Sequence, residues 1–234
     1  MKAFLLAAGH GTRLRPITDT IPKCLVPIKG VPLLQIWLEQ CVVYGIDEVL
    51  INLHARSDTV AEFLRNTPSK TKVTISQEEV LLGSAGTLKA HRQWANSDPY
   101  FWVFYADVLN CVDLARMERF HCSKDVTATI GVYRVPDPSR CGIVVQDNQN
   151  IVREFVEKPA QPASNLAFSG IMLASSQFLD EIPDNSPVDI GFHVLPRLVD
   201  RMAAYEIDEY LIDIGTMENY RLAQESWPGL MVRG

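Results

Sequence analysis

The first hundred or so residues alternate between short apolar segments and longer amphipathic segments, and this alternation constrains the fold more than any other feature. Strands that alternate with helices favour a mostly parallel sheet covered by helices on both faces. We therefore predict an α/β fold with a Rossmann-like mixed, mostly parallel central sheet flanked by helices. The predicted strands are residues 2–7, 48–52, 72–76 and 100–105, and the predicted helices are about 32–44, 57–65 and 84–94.

The second half of the chain contains more strand-like segments. After a helix at 114–121, the predicted strands are 126–133, 142–146, 151–156 and 168–173, which we assign to the second half of the same sheet. Segments 190–202 and 217–226 look helical, and a strand-like segment at 204–212 lies between them. Because no repeat, low-complexity tract or linker interrupts the pattern, we expect one domain over residues 1–234.

The composition indicates an ordinary soluble protein and excludes several function classes. The chain is 47% hydrophobic and 21% charged, and its net charge of −6 argues against nucleic-acid binding. No apolar run has the length of a membrane span, and the run at 3–8 is too short for a secretory signal. Cysteines without a Cys-x-x-Cys pair indicate reduced thiols in the cytoplasm, and the histidines share no metal-ligand spacing. The sequence leaves open whether copies of the chain associate.

A loop rich in glycines and cations follows the first predicted strand. Gly9 and Gly11 allow the backbone to approach a ligand closely, so that N–H groups converge on an anion. The planar guanidinium groups of Arg13 and Arg15 offer several N–H donors to phosphate oxygens, and Lys23 adds an ammonium group with a single positive charge. The spacing matches neither the P-loop nor the dinucleotide-binding fingerprint. The loop is therefore predicted to bind a polyphosphate.

The run from Gly9 to Pro16, with the run from Pro22 to Pro27, closely resembles the signature of the sugar-1-phosphate nucleotidyltransferases (nucleotide-sugar pyrophosphorylases). Its mannose-1-phosphate and heptose-1-phosphate guanylyltransferase members are the most similar. The resemblance implies the nucleotide-diphospho-sugar transferase fold, Mg²⁺ as cofactor, and a nucleoside triphosphate and a sugar 1-phosphate as substrates. It implies catalytic roles for Arg13 and Lys23, and nucleotide binding by Leu6, Ala8, Gly9, Gly11 and Thr12. Many members carry a C-terminal hexapeptide-repeat β-helix domain, which we do not expect in this chain.

Two aspartates resemble the metal ligands of the family. Asp107 follows an apolar strand, with Ala106 where the family usually has glycine, and it is also implied to contact the nucleotide. Asp213 lies in an Asp-x-Gly-Thr run whose Thr216 can cap the next helix. Carboxylates that hold Mg²⁺ offset the repulsion between two phosphate-bearing substrates. Other acidic residues fit the pattern less well and are assigned structural or solvated roles: Asp113, Asp189 and Asp208.

Further motifs resemble the base-binding and sugar-binding segments of the family. In the run 75–87, Glu78 would accept hydrogen bonds from the base edge and Gly83 would admit the base, with Ser84 as a candidate helix cap. Guanine, with adjacent N1–H and N2–H donors, is favoured, although uracil also satisfies one carboxylate. The residues implied to bind the sugar phosphate are Gly142, Glu157, Lys158 and Gly170. Phe168 stands where many relatives have asparagine.

The implied reaction is an in-line displacement in which a sugar 1-phosphate oxygen attacks the α-phosphorus of a nucleoside triphosphate and pyrophosphate leaves. Because that oxygen is already ionised at pH 7, catalysis consists mainly of positioning and charge neutralisation. Two alternatives stay open. One is a cytidylyl-, uridylyl- or thymidylyltransferase with another phosphorylated acceptor. The other is a catalytically silent nucleotide-sugar-binding regulatory subunit, which Ala106 and Phe168 keep open.

Overall fold

The computed structural model describes residues 1–230, which form two compact units. The first unit comprises Met1–Leu81, Phe104–Val112 and the segment that begins at Glu209. The second comprises Leu82–Val103 and Asp113–Asp208. The single domain predicted over residues 1–234 stays a prediction, and its last four residues lie outside the described ones.

The regular elements of the described residues are as follows. The helices are α1 (Leu33–Val43), α2 (Ser57–Asn66), α3 (Ser84–Ala90), α4 (Arg92–Ala95), α5 (Leu114–Cys122) and α6 (Met217–Ser226). The strands are β1 (Lys2–Leu6), β2 (Pro27–Ile28), β3 (Val31–Pro32), β4 (Glu48–Leu53), β5 (Lys72–Gln77), β6 (Tyr100–Tyr105), β7 (Val108–Asn110), β8 (Ala128–Arg134), β9 (Gly142–Gln146), β10 (Val152–Glu157), β11 (Leu166–Ser175), β12 (Met202–Glu206) and β13 (Leu211–Asp213). Short 3-10 helices occupy Thr12–Leu14, Ile17–Asp19, Lys23–Leu25, Pro138–Arg140, Ser176–Glu181 and Leu195–Leu198.

The first unit is organised around parallel strands. β4 pairs in parallel with both β1 and β5, with Leu6 opposite Asn52 and Leu53 opposite Gln77. The N–H of Ala106 donates to the carbonyl of Leu6 at 3.0 Å, which fixes the end of β6 beside the end of β1. The carboxyl ends of these strands therefore share one edge of the sheet, where open α/β sheets bind ligands.

The core of the first unit is packed from both helix and strand side chains. In α1, the buried Trp37 ring stacks on Phe104 of β6 with centroids 4.6 Å apart. β4 is apolar along its centre, and Val49, Leu50 and Ile51 are almost completely buried. A strand covered on both faces has this continuous apolar pattern rather than an alternating one. The core thus holds the strand ends in fixed positions.

The second unit is mostly antiparallel. β11 pairs antiparallel with β8 and β9, and β9 pairs antiparallel with β10. β12 joins β8 in parallel. β6 contributes residues to both units, and the strands together make a mixed sheet with flanking helices. The predicted fold class is confirmed.

Two predicted elements are wrong. Residues 190–202 do not form one helix, because Ile190–Val194 is a π-helical turn followed by the 3-10 helix Leu195–Leu198. Pro196 lacks an N–H and cannot donate to the carbonyl four residues earlier, which ends the helical pattern. The single strand predicted at 204–212 is two strands, β12 and β13, that belong to different units. No helix in the described part of the chain is long and apolar enough to cross a membrane.

Candidate functional site

The glycine-rich loop after β1 lies at the sheet edge, as predicted. Gly11 has φ of 65°, a conformation that favours glycine, and its carbonyl accepts a hydrogen bond from Thr18 Oγ1 at 2.8 Å. A Cβ on Gly11 would lie 3.1 Å from Lys23 Cβ, so the loop folds back closely on the lysine. Arg13, in the 3-10 helix Thr12–Leu14, is exposed. The loop therefore presents one accessible guanidinium and one enclosed ammonium group.

Lys23 and Asp107 form an ion pair. The Lys23 Nζ donates to Asp107 Oδ2, although the two residues are 84 positions apart. Their side chains are only 12% and 27% exposed, so water screens the pair little. Asp107 follows β6, and its carbonyl accepts from the N–H of Ile214 at 2.8 Å. This hydrogen bond places the end of β13 next to the ion pair.

Asp213 is half-buried beside this pair, and its charge is only partly compensated by the backbone of Gly215 and by the nearby cations. Its Oδ1 has no hydrogen-bond partner in the described part of the chain. Burial, and then the charge of Asp107, raise the pKa of Asp213 to about 6, while Lys23 and Arg13 act in the opposite direction. A Cβ on Gly215 would lie 2.7 Å from Asp213 Oδ1 and 3.0 Å from Arg13 Nη2, so this glycine leaves room for both charged groups. Arg13, Lys23, Asp107 and Asp213 thus form one charged cluster in the first unit.

The chemistry of this cluster is compatible with a divalent cation. The residues that the structure describes contain no group of three or more His, Cys, Asp or Glu that could hold a metal. Mg²⁺ needs fewer protein ligands, because it usually keeps several waters and uses one or two carboxylates together with substrate phosphates. The unpartnered Asp213 Oδ1, next to Asp107, provides such an oxygen. The donor set therefore fits Mg²⁺ shared with a phosphate substrate.

Glu78, directly after β5, is held by a residue that the sequence analysis missed. Asn52 Nδ2 donates to Glu78 Oε1 at 2.9 Å, and Asn52 Oδ1 accepts from the N–H of Ala7 at 2.8 Å. Asn52 and Glu78 are only 4% and 5% exposed. The carbonyl of Glu78 also contacts His54 Nδ1 at 2.8 Å, and the His54 ring packs edge-on against His10 with centroids 5.4 Å apart. In the sequence, the position of Asn52 near the end of a predicted strand is the one signal that could have indicated a role at the site.

In the second unit, Glu157 is wedged between two glycines. A Cβ on Gly142 would lie 2.6 Å from Glu157 Oε2, and a Cβ on Gly191 would lie 2.4 Å from the same atom. Burial raises the pKa of Glu157, with the charge of Asp189 adding to the shift and Lys158 opposing it. The absence of both side chains is therefore a steric requirement for this carboxylate. The sequence motifs predict a role for Gly142 but give no indication of one for Gly191.

Lys158 lies at the exposed side of Glu157. Its backbone φ is 50°, and its Nζ is 3.8 Å from Glu157 Oε1 and 5.3 Å from the centre of the Phe192 ring. Phe192 is 51% exposed, which is unusual for a large aromatic side chain. Phe168 is half-buried and packs edge-on against Phe155 with centroids 6.5 Å apart. This part of the second unit combines one carboxylate, one ammonium group and several aromatic rings.

Gly83 and Ser84 are bound to the turn that begins at Val188. Gly83 has φ of 82°, and a Cβ there would lie 2.3 Å from the Val188 carbonyl oxygen. Ser84 does not cap α3 through its side chain, contrary to the sequence-based expectation. Its Oγ instead donates to Asp189 Oδ2 at 2.9 Å and accepts from the N–H of Ile190 at 2.7 Å. Asp189 also accepts from a backbone N–H of its own turn, so its structural assignment is supported.

Several other predicted residues have clear positions. Thr216 caps α6 by accepting from the N–H of Asn219, as expected, and Asp113 caps α5, which is compatible with the structural role assigned to it. Gly170 has φ of 79° on β11, where the pairing with β8 is irregular between Phe168 and Met172. Leu6 ends β1, and Ala8 and Gly9 lie in the loop beyond it. The ligand contacts expected of these residues stay predictions.

Comparison with known proteins gives a consistent result. The family model described as "Nucleotidyl transferase" matches residues 2–227. A probable mannose-1-phosphate guanylyltransferase 1 from Oryza sativa subsp. japonica is 35% identical over 94% of this chain, and the mannose-1-phosphate guanyltransferase of Schizosaccharomyces pombe is 31% identical over 94%. The crystal structure of HddC from Yersinia pseudotuberculosis complexed with GMP-PN has a TM-score of 0.81 at 26% identity, with 97% of this chain and 99% of that chain covered.

The chain matches only part of the length of each curated relative. This chain spans 63% of the length of the rice protein and 62% of the length of the fission-yeast protein. UDP-glucose pyrophosphorylase complexed with UDP-glucose, at 22% identity and a TM-score of 0.83, supports the fold alone. Because the family model covers nearly the whole chain, from the first strand through α6, the chain belongs to the nucleotidyl transferase family.

Proposed function

We propose that this chain transfers a guanylyl group from GTP to a sugar 1-phosphate of the mannose or manno-heptose type, releasing pyrophosphate. The observation that carries the proposal is the charged cluster of Arg13, Lys23, Asp107 and Asp213 at the edge of the parallel strands. The named guanylyltransferase relatives support the choice of nucleotide and sugar, as does the GMP-PN complex of HddC.

The reaction needs charge neutralisation more than proton transfer. An ionised oxygen of the sugar 1-phosphate forms a bond to the α-phosphorus of GTP, and the bond from that phosphorus to the bridging oxygen of pyrophosphate breaks. Arg13, exposed and next to Gly215, stabilises the negative charge that develops on pyrophosphate. Lys23 holds the α-phosphate and the attacking phosphate together once substrate oxygens compete with Asp107 for its ammonium group.

Asp107 and Asp213 are the residues that would hold Mg²⁺. When bound, the ion would neutralise phosphate charge as the two substrates meet. Asp213 is a half-buried carboxylate next to a second carboxylate, and its pKa is raised first by burial and then by the charge of Asp107. The proposed ligand role would give Asp213 Oδ1 a partner, which it lacks in the described part of the chain.

Residues of the second unit are proposed to bind the acceptor. Lys158, more than half exposed, contacts the sugar phosphate, and Glu157 accepts hydrogen bonds from sugar hydroxyls. Gly142 leaves room for this carboxylate, because any Cβ at that position would overlap Glu157 Oε2. In the first unit, Glu78 accepts hydrogen bonds from the guanine N1–H and N2–H groups. None of the five cysteines forms a disulfide in the described part of the chain, which supports the further proposal of a reducing, cytoplasmic location.

A matrix of nucleoside triphosphates against sugar 1-phosphates, with Mg²⁺ and a pyrophosphate-release readout, tests the proposal. The largest kcat/KM is expected for GTP with a mannose-type 1-phosphate. Arg13→Ala and Lys23→Ala should each lower turnover by at least ~10²-fold, as is typical for loss of one electrostatic contact to the transition state. Lys72→Ala, which removes a surface cation paired with Glu48 in the same unit, is the matched control and should leave turnover unchanged. Turnover only with a non-sugar phosphate, or binding without turnover, would refute the proposal in favour of one of the two alternatives.

A further inference from the structure

Asn52 connects the glycine-rich loop to Glu78 in the first unit. It lies near the end of β4 between β1 and β5, and its side chain is almost completely buried. One end of its amide accepts from the N–H of Ala7 at 2.8 Å, and the other end donates to Glu78 Oε1 at 2.9 Å. The two partners are 45 and 26 residues away along the chain.

An amide matches the chemistry of the two partners. The Ala7 N–H is a donor and Glu78 Oε1 is an acceptor, so the side chain that bridges them offers one acceptor and one donor. Aspartate would keep the bond to Ala7 but has no donor for Glu78. Leucine, of similar volume, would lose both. A buried carboxylate that loses this donor is expected to change rotamer.

The backbone of Glu78 is held by the same part of β4. Its N–H donates to the carbonyl of Leu53 at 2.8 Å, and its carbonyl contacts His54 Nδ1 at 2.8 Å. The His54 ring in turn packs edge-on against His10 in the glycine-rich loop. Three consecutive residues, Asn52–His54, therefore fix both the backbone and the side chain of Glu78.

We propose that Asn52 is a positioning residue that fixes the Glu78 carboxylate as an acceptor beside the glycine-rich loop and thereby determines which nucleobase the chain prefers. The inference rests on the proposed function, because it takes the base edge to bind at Glu78. The base recognised in this way carries adjacent N–H donors, as guanine does. A Glu78 carboxylate that rotates away from this position no longer selects against bases that present an acceptor at that edge.

The matched control is Gln40, another buried side-chain amide of the first unit that donates to a side-chain oxygen. It is 2% exposed, and its Nε2 donates to Asn110 Oδ1 at 2.8 Å. Gln40→Leu therefore removes a buried amide hydrogen bond of the same kind at a position away from the proposed base site. Any effect shared by Asn52→Leu and Gln40→Leu reports general destabilisation.

The experiment measures equilibrium binding of GTP, ITP, ATP and UTP by calorimetry, with no acceptor present, in the wild type, Asn52→Leu, Asn52→Asp and Gln40→Leu. Thermal melting and KM for the sugar 1-phosphate are measured in parallel. Both Asn52 variants are expected to bind the preferred nucleotide about 10-fold or more weakly and to lose most of the discrimination between bases, consistent with loss of a charge-assisted hydrogen bond. Their KM for the sugar phosphate should change less than about two-fold, and Gln40→Leu should keep the preference.

The inference is overturned if Asn52→Leu folds and keeps the wild-type base preference. It is also overturned if Gln40→Leu loses that preference equally, or if the wild type binds no nucleoside triphosphate. Nucleotide binding without pyrophosphate release in the wild type would instead refute the proposed function and leave the role of Asn52 supported by the binding data.

Discussion

Replacing Gly191 by alanine places a methyl group where the Glu157 carboxylate lies. The added Cβ would be 2.4 Å from Glu157 Oε2, whereas an ordinary contact begins at 3.4 Å. The backbone φ of Gly191 is not in the left-handed region, so alanine can adopt it and the clash must be relieved by the side chain. The same oxygen also lies near Gly142, since a Cβ built there would be 2.6 Å from it, so little space is left in that direction. We therefore expect the carboxylate to shift by about 1 Å away from both glycines.

A displacement of that size is large for a group that positions a substrate. A misplacement of about 1 Å can cost about 10²-fold in rate, so kcat/KM for the sugar 1-phosphate should fall by about that factor in Gly191→Ala. The KM for the nucleoside triphosphate should stay within about two-fold. Overpacking itself costs about 1–3 kcal/mol, so the variant should still fold, with a lower melting temperature.

A pyrophosphate-release assay that varies each substrate separately gives the two KM values, and circular dichroism with thermal melting checks the fold. Glu157→Asp, combined with Gly191→Ala, is the decisive companion variant, because aspartate is one methylene shorter and makes room for the methyl group. The double variant should lose less activity than the two single effects combined predict. A folded Gly191→Ala enzyme with wild-type kinetics for the sugar 1-phosphate would show that Glu157 does not have the proposed role.

Three further predictions concern stability and are measured by urea denaturation. Gly83→Ala should lower the free energy of unfolding by about 2 kcal/mol or more, because φ of 82° is strained for alanine and the new Cβ would meet the Val188 backbone at 2.3 Å. Asp213→Asn should stabilise the metal-free protein at pH 7.5 by at most about 3 kcal/mol and have no such effect at pH 4. The carboxyl has a folded pKa of about 6 against an ordinary 3.8, so stability is lost as the pH rises through that window. Burial lowers the pKa of His121, so below pH 6.5 this side chain takes up a proton more readily in the unfolded chain than in the folded protein. The wild type should therefore lose more stability between pH 7.5 and pH 5.5 than His121→Gln does.

The parallel strands of the first unit can be predicted from the sequence because their signal is local. The sequence predicts β4 and β5 as 48–52 and 72–76, and each strand extends only one residue further. β4 is a continuous apolar run that is buried, and β5 is rich in β-branched residues although it stays partly exposed, so no distant contact is needed to recognise either strand. The same holds for Asp107, whose position follows directly from the end of β6.

The segment after Val188 cannot be predicted in the same way because tertiary contacts override its pattern. The apolar spacing over 190–202 looks helical, but Ser84 and Asp189 bind the backbone N–H groups at its start. Pro196 then removes a donor within the same segment. Gly191 is missed for a related reason, since its importance lies in the carboxylate of Glu157, 34 positions earlier, that occupies the space beside it. A single sequence gives no indication of such a neighbour.

Two aspartates show how the energetics separate structural from functional carboxylates. Asp147 accepts from the N–H groups of Gln149 and Ile151 and pairs with Arg153, and these contacts lower its pKa, so its charge stabilises the fold. Asp213 is the opposite case, because burial beside Asp107 raises its pKa and one of its oxygens has no partner in the described part of the chain. A neutral residue at 213 would stabilise folding, so stability alone cannot account for aspartate there. The charge of Asp213 is accounted for if a cation or a cation-bound phosphate binds to its carboxylate. This is the physical reason to propose phosphate chemistry at Asp213 rather than at a carboxylate that is already paired, such as Asp147.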